Sequence, residues 1–236
     1  MLSVLALGAY PLDTSLNAIV NALPALLTGA LLTLQLTAAA VAFGSVGGII
    51  LGVARLSKVV PIRWLARAYI DFFRGTPLLV QLFIIYFGIP SLLRSMGING
   101  FSFGQWGAAT LGLSLNSAAY LAEIVRGGIQ SVENGQKEAA ESLGLDAKQA
   151  LFYVIFPQAL RRMIPPLGNE FVVLLKDTSL VAFIGYQELL RQGQLIVARN
   201  FRAFEIYITV ALIYLALTVL ASQVFSWLER RMDPAK

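Results

Sequence analysis

The sequence predicts an all-α, polytopic membrane protein with about five transmembrane helices, its N-terminus outside and its C-terminus in the cytoplasm. Three observations carry that expectation. The chain is 57% hydrophobic and only 13% charged, where a soluble domain is about 45–50% apolar and about 25% charged. Its mean hydropathy of +0.72 marks more apolar surface than one small core can bury, so lipid is the expected solvent. Lys and Arg concentrate on alternate connections between the apolar stretches, the asymmetry that distinguishes the cytoplasmic side. The same composition excludes other chemistry. With no Cys and no His in 236 residues, disulfides, Cys/His metal sites and His-based acid–base catalysis are ruled out. The net charge of +5 is dispersed between apolar runs rather than gathered on one basic face, so nucleic acid is not an expected partner.

Met1 to Tyr10 is apolar but carries no Lys or Arg. It therefore lacks the basic region of a cleavable signal peptide and is read as retained. A membrane-crossing helix needs about 20 mostly apolar residues. No charge occurs between Asp13 and Arg55, and Ala25 to Val53 is dense in Leu, Ala, Val and Ile, which sets the first span. Gly44, Gly47, Gly48 and Gly52 give that span a small-residue stripe suited to close helix contact. Further spans are expected from about Ala68 to Pro90, Gln105 to Glu123, Met163 to Gly185 and Ile206 to Leu228.

One set of connections carries Arg55, Lys58, Arg63 and Arg67, then Arg126, Lys137, Lys148, Arg161 and Arg162, then Arg230, Arg231 and Lys236. The opposite set carries Arg94, Arg191, Arg199 and Arg202. The richer set is placed in the cytoplasm. Tyr86, Trp106, Tyr207 and Trp227 fall near expected span ends, where aromatic rings anchor at the interface. No internal repeat or polar linker divides the chain, so residues 1–236 are read as one transmembrane domain.

The long loop between the third and fourth spans, about residues 132–157, carries the strongest local signal. Asn134-Gly135 marks a turn, and from Gln136 the residues favour a short helix on which Ala139 and Ala140 leave one face nearly flat. Gly144 ends or bends that helix, because a residue without Cβ accepts a positive φ. A helical pattern resumes from Ala147 to Phe156, and Pro157 interrupts it. On periodicity alone this is either an ordinary connecting helix pair or a docking surface.

Spacing separates the two. Glu138-Ala139-Ala140, then three residues and Gly144, then nine residues and Val154-Ile155-Phe156-Pro157, resembles the cytoplasmic EAA signature of ABC importer permeases. Phe156 stands where Leu is usual, a conservative departure. Three further blocks resemble the polar amino acid branch of that family, which includes the histidine, glutamine and arginine permeases: Phe72-Phe73-Arg74-Gly75-Thr76-Pro77-Leu78-Leu79-Val80-Gln81, Leu113 to Gly128, and Leu175-Lys176-Asp177-Thr178-Ser179-Leu180.

The resemblance implies a type I ABC importer permease subunit that pairs with a second permease subunit, identical or homologous. It also implies two ATP-binding subunits and an extracytoplasmic substrate-binding protein delivering a polar or basic amino acid. The EAA loop would be the coupling helix seated in a groove of the ATPase, through Gly135, Glu138, Ala139, Ala140 and Gly144. This chain has no G-x-x-x-x-G-K-[ST] phosphate cradle. It is therefore expected to bind no cofactor and to act as a transport subunit rather than an enzyme, with ATP and Mg hydrolysed by the partner. The expected location is the plasma (inner) membrane of a prokaryote, with membrane lipid as its surroundings.

Ionisable residues at membrane depth face a cavity or a partner, because a central charge costs at least about 2.5–3.5 kcal/mol. Asp71, Arg74, Glu123, Glu170, Lys176 and Asp177 qualify. Asp71 with Arg74, and Glu123 with Arg126, are three apart and can neutralise each other on one helix face. Asp177 is the better substrate candidate, flanked by the hydroxyls of Thr178 and Ser179, since a zwitterion needs an anion for its ammonium. Asp71 could join it. At Gly75-Thr76-Pro77 the readings are a plain Pro kink or freed backbone groups that meet the substrate carboxylate through the region of Thr76. Asn116 and Ser117 either join helices or line the pathway. The rival functions are an ABC permease for another small solute and an ion-coupled secondary transporter.

Overall fold

The structure, a computed structural model, describes residues 12–232, with side chains from Leu16 onward. The expected retained segment Met1–Tyr10 and the cytoplasmic charge of Lys236 lie outside them. The described chain is helical throughout: α1 (Leu12–Arg55), α2 (Val60–Gly75), α3 (Leu78–Phe83), a π-helical turn over Ile84–Gly88, α4 (Ile89–Ser95), α5 (Gly104–Gln130), α6 (Asn134–Ser142), α7 (Ala147–Gln149), a π-helical stretch over Ala150–Ile155, α8 (Phe156–Asp177), a 3-10 segment over Thr178–Ile184, α9 (Leu189–Asn200) and α10 (Ala203–Met232).

Among the described residues four helical stretches are long and apolar enough to cross a membrane: Leu16–Arg55, Leu78–Ser95, Gly104–Gln130 and Ala203–Met232. Two expectations change. The second span begins at Leu78 rather than Ala68, because Pro77 cannot continue the ladder of α2 and holds Thr76 extended at φ −119°, ψ 146°. Residues 60–75 form a separate amphipathic helix instead. The expected fourth span falls on α8, whose 22 residues reach about 33 Å. Arg161, Arg162, Glu170, Lys176 and Asp177 keep its composition below that of an apolar crossing.

α1 and α5 form the central pair. A Cβ added at Gly44 would lie 3.0 Å from the Ser117 side chain, at Gly48 2.5 Å from Leu121 Cβ, and at Gly52 2.8 Å from Ala122 O. The glycine stripe thus does what small residues do in lipid, where packing rather than exclusion from water joins helices. Leu36 and Ala40 of α1, Leu82 and Ile85, Leu113 of α5, Leu174 of α8 and Val181 of the 3-10 segment make one buried core. Ala22, Leu26 and Ala30 pack with Leu189, Ile206 and Val210 in another. The outer faces are apolar: Phe43, Ile50 and Val53 of α1 and Leu212, Leu215 and Leu220 of α10 are all exposed, as lipid-facing residues should be.

Candidate functional site

The break between α2 and α3 lies level with the middle of α5. Tyr69 Oη donates to Leu115 O at 2.8 Å, and Leu115 sits near the middle of α5. Phe73 O has lost its usual donor, since residue 77 is proline and has no N–H. Two side-chain amides replace it: Gln81 Nε2 donates to Phe73 O at 2.9 Å and Asn116 Nδ2 at 3.3 Å. Gln81 Nε2 also reaches Thr76 O at 3.1 Å and Thr76 Oγ1 at 2.8 Å, and Gln81 Oε1 accepts from Asn116 Nδ2 at 3.0 Å. Thr76 Oγ1 itself donates to Phe72 O at 2.8 Å. Gln81, buried in the structure, closes the Phe72–Gln81 block of the sequence but was given no role there. Its signal was its place four residues after a proline, on the face of the next helix turned toward the break.

Asn116 therefore joins α5 to the break. Ser117 is fully buried against Gly44, and its Oγ, like those of Ser114 and Thr110, makes no hydrogen bond. On the other side of the break, the first N–H groups of α3 have no acceptor within their own helix.

Charged groups flank this point. Arg74 Cζ stands 5.2 Å from the centre of the Tyr120 ring, within cation–π range. Glu123 Oε2 pairs with Arg126 at 2.6 and 3.0 Å, as its spacing predicts. Asp71 does not pair with Arg74; it meets Arg67 at 3.3 Å on an exposed face of α2. That spacing of four stacks the two side chains one turn apart, and it leaves Arg74 to Tyr120. On α8, Glu170 precedes Asp177 by seven residues, two turns of one face, and Glu170 lies in the field of both Asp177 and Arg74. Glu170 and Asp177 thus share one face of α8, while Arg74 stands on Tyr120 and Asn116 holds the break. Asp177 and Ser179 are half-buried. Thr178 is buried and its Oγ1 donates to Leu175 O at 2.6 Å, a bond that closes the end of α8.

The loop over residues 132–157 is a built unit. Leu145 N donates to Ala140 O at 3.1 Å and Gly144 N to Glu141 O at 3.0 Å, the paired bonds of a Schellman motif. Gly144 supplies the required positive φ, 85°. Asp146 then starts the next turn with a capping box: its Oδ1 accepts from Lys148 N and Gln149 N at 2.8 Å, and Gln149 Oε1 accepts from Asp146 N at 2.9 Å.

Two details differ from expectation. Pro157 does not interrupt the helix, because it falls in the first turn of α8, where its missing N–H costs little. Ala140 is buried at 3% exposure, packed on the Ala150–Ile155 stretch. The flat exposed strip is instead Gly135 and Ala139, one turn apart, beside the exposed Glu138. Leu143 at the tip is 84% exposed, and Phe152 and Tyr153 are 64% and 74% exposed, apolar side chains left open by the described residues.

Comparison with known proteins matches residues 44–234 to the family described as binding-protein-dependent transport system inner membrane component. The chain belongs to that family. It is 44% identical to the glutamine transport system permease protein GlnP of Escherichia coli over 216 residues, 92% of this chain and 96% of that one. It is 42% identical to the probable amino-acid permease protein YxeN of Bacillus subtilis over 214 residues, 91% of this chain and 94% of that one. A crystal structure of an amino acid ABC transporter with histidines has a chain 42% identical, with a TM-score of 0.83, matching 90% of this chain and 96% of that one. An inward-facing structure of the MetNI methionine ABC transporter matches at a TM-score of 0.71 and 21% identity over 88% of this chain and 96% of that one. At that identity it speaks for the fold. All members of this family compared are permease components, in agreement with a transport subunit.

Proposed function

We propose that the chain is the permease subunit of an ATP-driven amino acid importer, acting as one transmembrane unit in a prokaryotic inner membrane. It pairs with an identical or homologous permease subunit and docks two ATP-hydrolysing subunits, which bind ATP and Mg, on its cytoplasmic side. An extracytoplasmic binding protein delivers the substrate. The basic connections put the EAA loop and the C-terminus in the cytoplasm and the N-terminus outside. The observation that carries the reading is the loop: a helix fixed by a Schellman motif at Gly144 that presents Gly135, Ala139 and Glu138 with the exposed Leu143 beside them. An exposed apolar tip rimmed by polar residues is the kind of surface that a partner covers.

At the membrane end, the substrate is a polar or basic amino acid. Asp177, in the field that also reaches Glu170, receives an ammonium, with Ser179 and Thr178 alongside. The N–H groups of Leu78 and Leu79, at the start of α3 level with the middle of α5, receive the carboxylate. Asn116 and Thr76 hold the break that aims those groups, and Ser117 packs α5 on α1 beside it. Asp71 lies on the exposed face of α2, where a second subunit or a basic side chain of the substrate reaches it.

The test is uptake by vesicles that contain the complete complex. ATP hydrolysis stimulated by loaded binding protein, with accumulation of labelled amino acid, is the expected result. Accumulation driven by a proton or sodium gradient without ATP would overturn the importer reading in favour of a secondary transporter.

A further inference from the structure

Glu188 is a carboxylate with 0% exposure in the interior between α1, α9 and α10. The substrate groups do not involve it. Its Oε1 accepts from Arg191 N at 2.8 Å, and its Oε2 accepts from Leu190 N at 2.9 Å and from Tyr214 Oη at 2.7 Å. Thr33 of α1, also fully buried, accepts from Leu189 N at 3.2 Å and keeps its hydroxyl beside the carboxylate. Arg191 sends its guanidinium to Gln194 at 3.1 Å, so the acid is held by backbone N–H groups and hydroxyls.

A Ser or Asp would cap α9 as well. Burying a longer acid is costly unless it makes bonds a shorter one cannot. What Glu188 adds is reach: it ties the start of α9 to Tyr214 on α10, and α9 packs on the 3-10 segment that follows Asp177, to which Tyr186 N is bonded through Val181 O at 3.3 Å. Packing closes the same joint independently. A Cβ at Gly29 of α1 would lie 2.8 Å from Gln192 Cγ and 2.9 Å from Leu189 Cα, and one at Gly193 of α9 would lie 2.8 Å from Val210 Cγ2. The first turns of α9 are thus wedged between α1 and α10.

We propose that Glu188 is a positioning residue for transport: through Tyr214 and Thr33 it fixes the start of α9, and with it the 3-10 segment that carries Ser179, to α10 and α1. A displacement of α10 is then passed to the substrate segment rather than absorbed in the loop. The proposal rests on the importer reading given above.

The experiment uses the complete complex in vesicles with its binding protein and measures two quantities: the yield of assembled complex, and amino acid imported per ATP hydrolysed. Tyr214→Phe removes the phenol and leaves the ring. It is expected to assemble at near wild-type yield and to import several-fold less per ATP, with Glu188→Gln and Thr33→Val lowering the ratio in the same direction. Thr209→Val on α10, whose hydroxyl donates to Glu205 O of its own helix at 2.7 Å, is expected to keep the wild-type ratio. Should Tyr214→Phe fail to assemble, Thr33→Val decides. A variant that assembles poorly but couples normally has lost only stability, and that result overturns the positioning role. Wild-type complex without stimulated hydrolysis sinks the importer reading itself. Coupled wild type with an equally coupled Tyr214→Phe sinks only the role of Glu188.

Discussion

Gly48→Ala places the smallest possible side chain at the tightest point of the α1–α5 contact. The new Cβ would lie 2.5 Å from Leu121 Cβ and 3.3 Å from both Ala118 O and Ala122 N. Carbons in contact stand about 3.5–4.0 Å apart, so the helices must separate by about 1 Å. The obstacle is the Cβ and backbone of α5, which no rotamer change can move aside. Separation also loosens the contacts of Gly44 and Gly52 on the same stripe. Overpacking of this kind costs about 1–3 kcal/mol, and the better helix propensity of Ala over Gly returns about 1 kcal/mol. Because the fixed Cβ and backbone atoms put the strain in the upper part of that range, about 2–3 kcal/mol, the net expectation is about 1–2 kcal/mol of destabilisation. For a chain of this size that corresponds to a fall of about 2–8 °C in melting temperature. Gly47→Ala is the internal control. Its Cβ would meet only Ala118 Cβ, at 3.1 Å, which a shift of a few tenths of an ångström relieves, so propensity should cancel the strain. Thermal melting of the detergent-purified protein reads both variants. The reasoning fails if Gly48→Ala melts with the wild type, or if Gly47→Ala falls as far.

Asn116→Ala should destabilise the chain by about 1–3 kcal/mol, because Gln81 Oε1 loses its donor in a dry environment; the same melting measurement checks it, and an unchanged midpoint would mean that water supplies the donor. Gly144→Ala meets no atom within 4 Å but keeps φ at +85°, so its cost is the left-handed backbone alone, about 1–2 kcal/mol. It should reduce co-purification of the ATPase while membrane insertion stays normal. Asp71→Ala breaks an exposed pair worth about 0–1 kcal/mol, so stability should hold while uptake falls; full uptake would remove Asp71 from the substrate or subunit contacts.

Much of the fold follows from local chemistry. The first, third and fifth expected spans coincide with α1, α5 and α10 because long uncharged runs leave the chain no solvent but lipid. The glycine stripe was visible as spacing, and its partner helix only in three dimensions. Gly144 was readable because a positive φ favours one residue type. The second span was displaced because the run from Ala68 was read by hydropathy, whereas Pro77 decides where the ladder restarts. α8 escaped a composition test because five charges and two internal prolines mask its length. Glu188 escaped entirely. It stands outside every apolar run, and its burial depends on Thr33 and Tyr214, which come from opposite ends of the chain.

The sequence by itself determined the solvent, the helical class and the loop unit from Asn134 to Gln149, all of which rest on composition or on residues a few positions apart. Only the tertiary structure decided which polar groups meet: Gln81 and Asn116 on the carbonyl freed by Pro77, Asp71 with Arg67 while Arg74 turns to Tyr120, Ala140 inward and Ala139 outward, Glu188 under Tyr214. The reason is geometric. Orphaned backbone groups and buried charges must find partners wherever the fold brings them, and a lone position in a sequence carries no record of what stands opposite it.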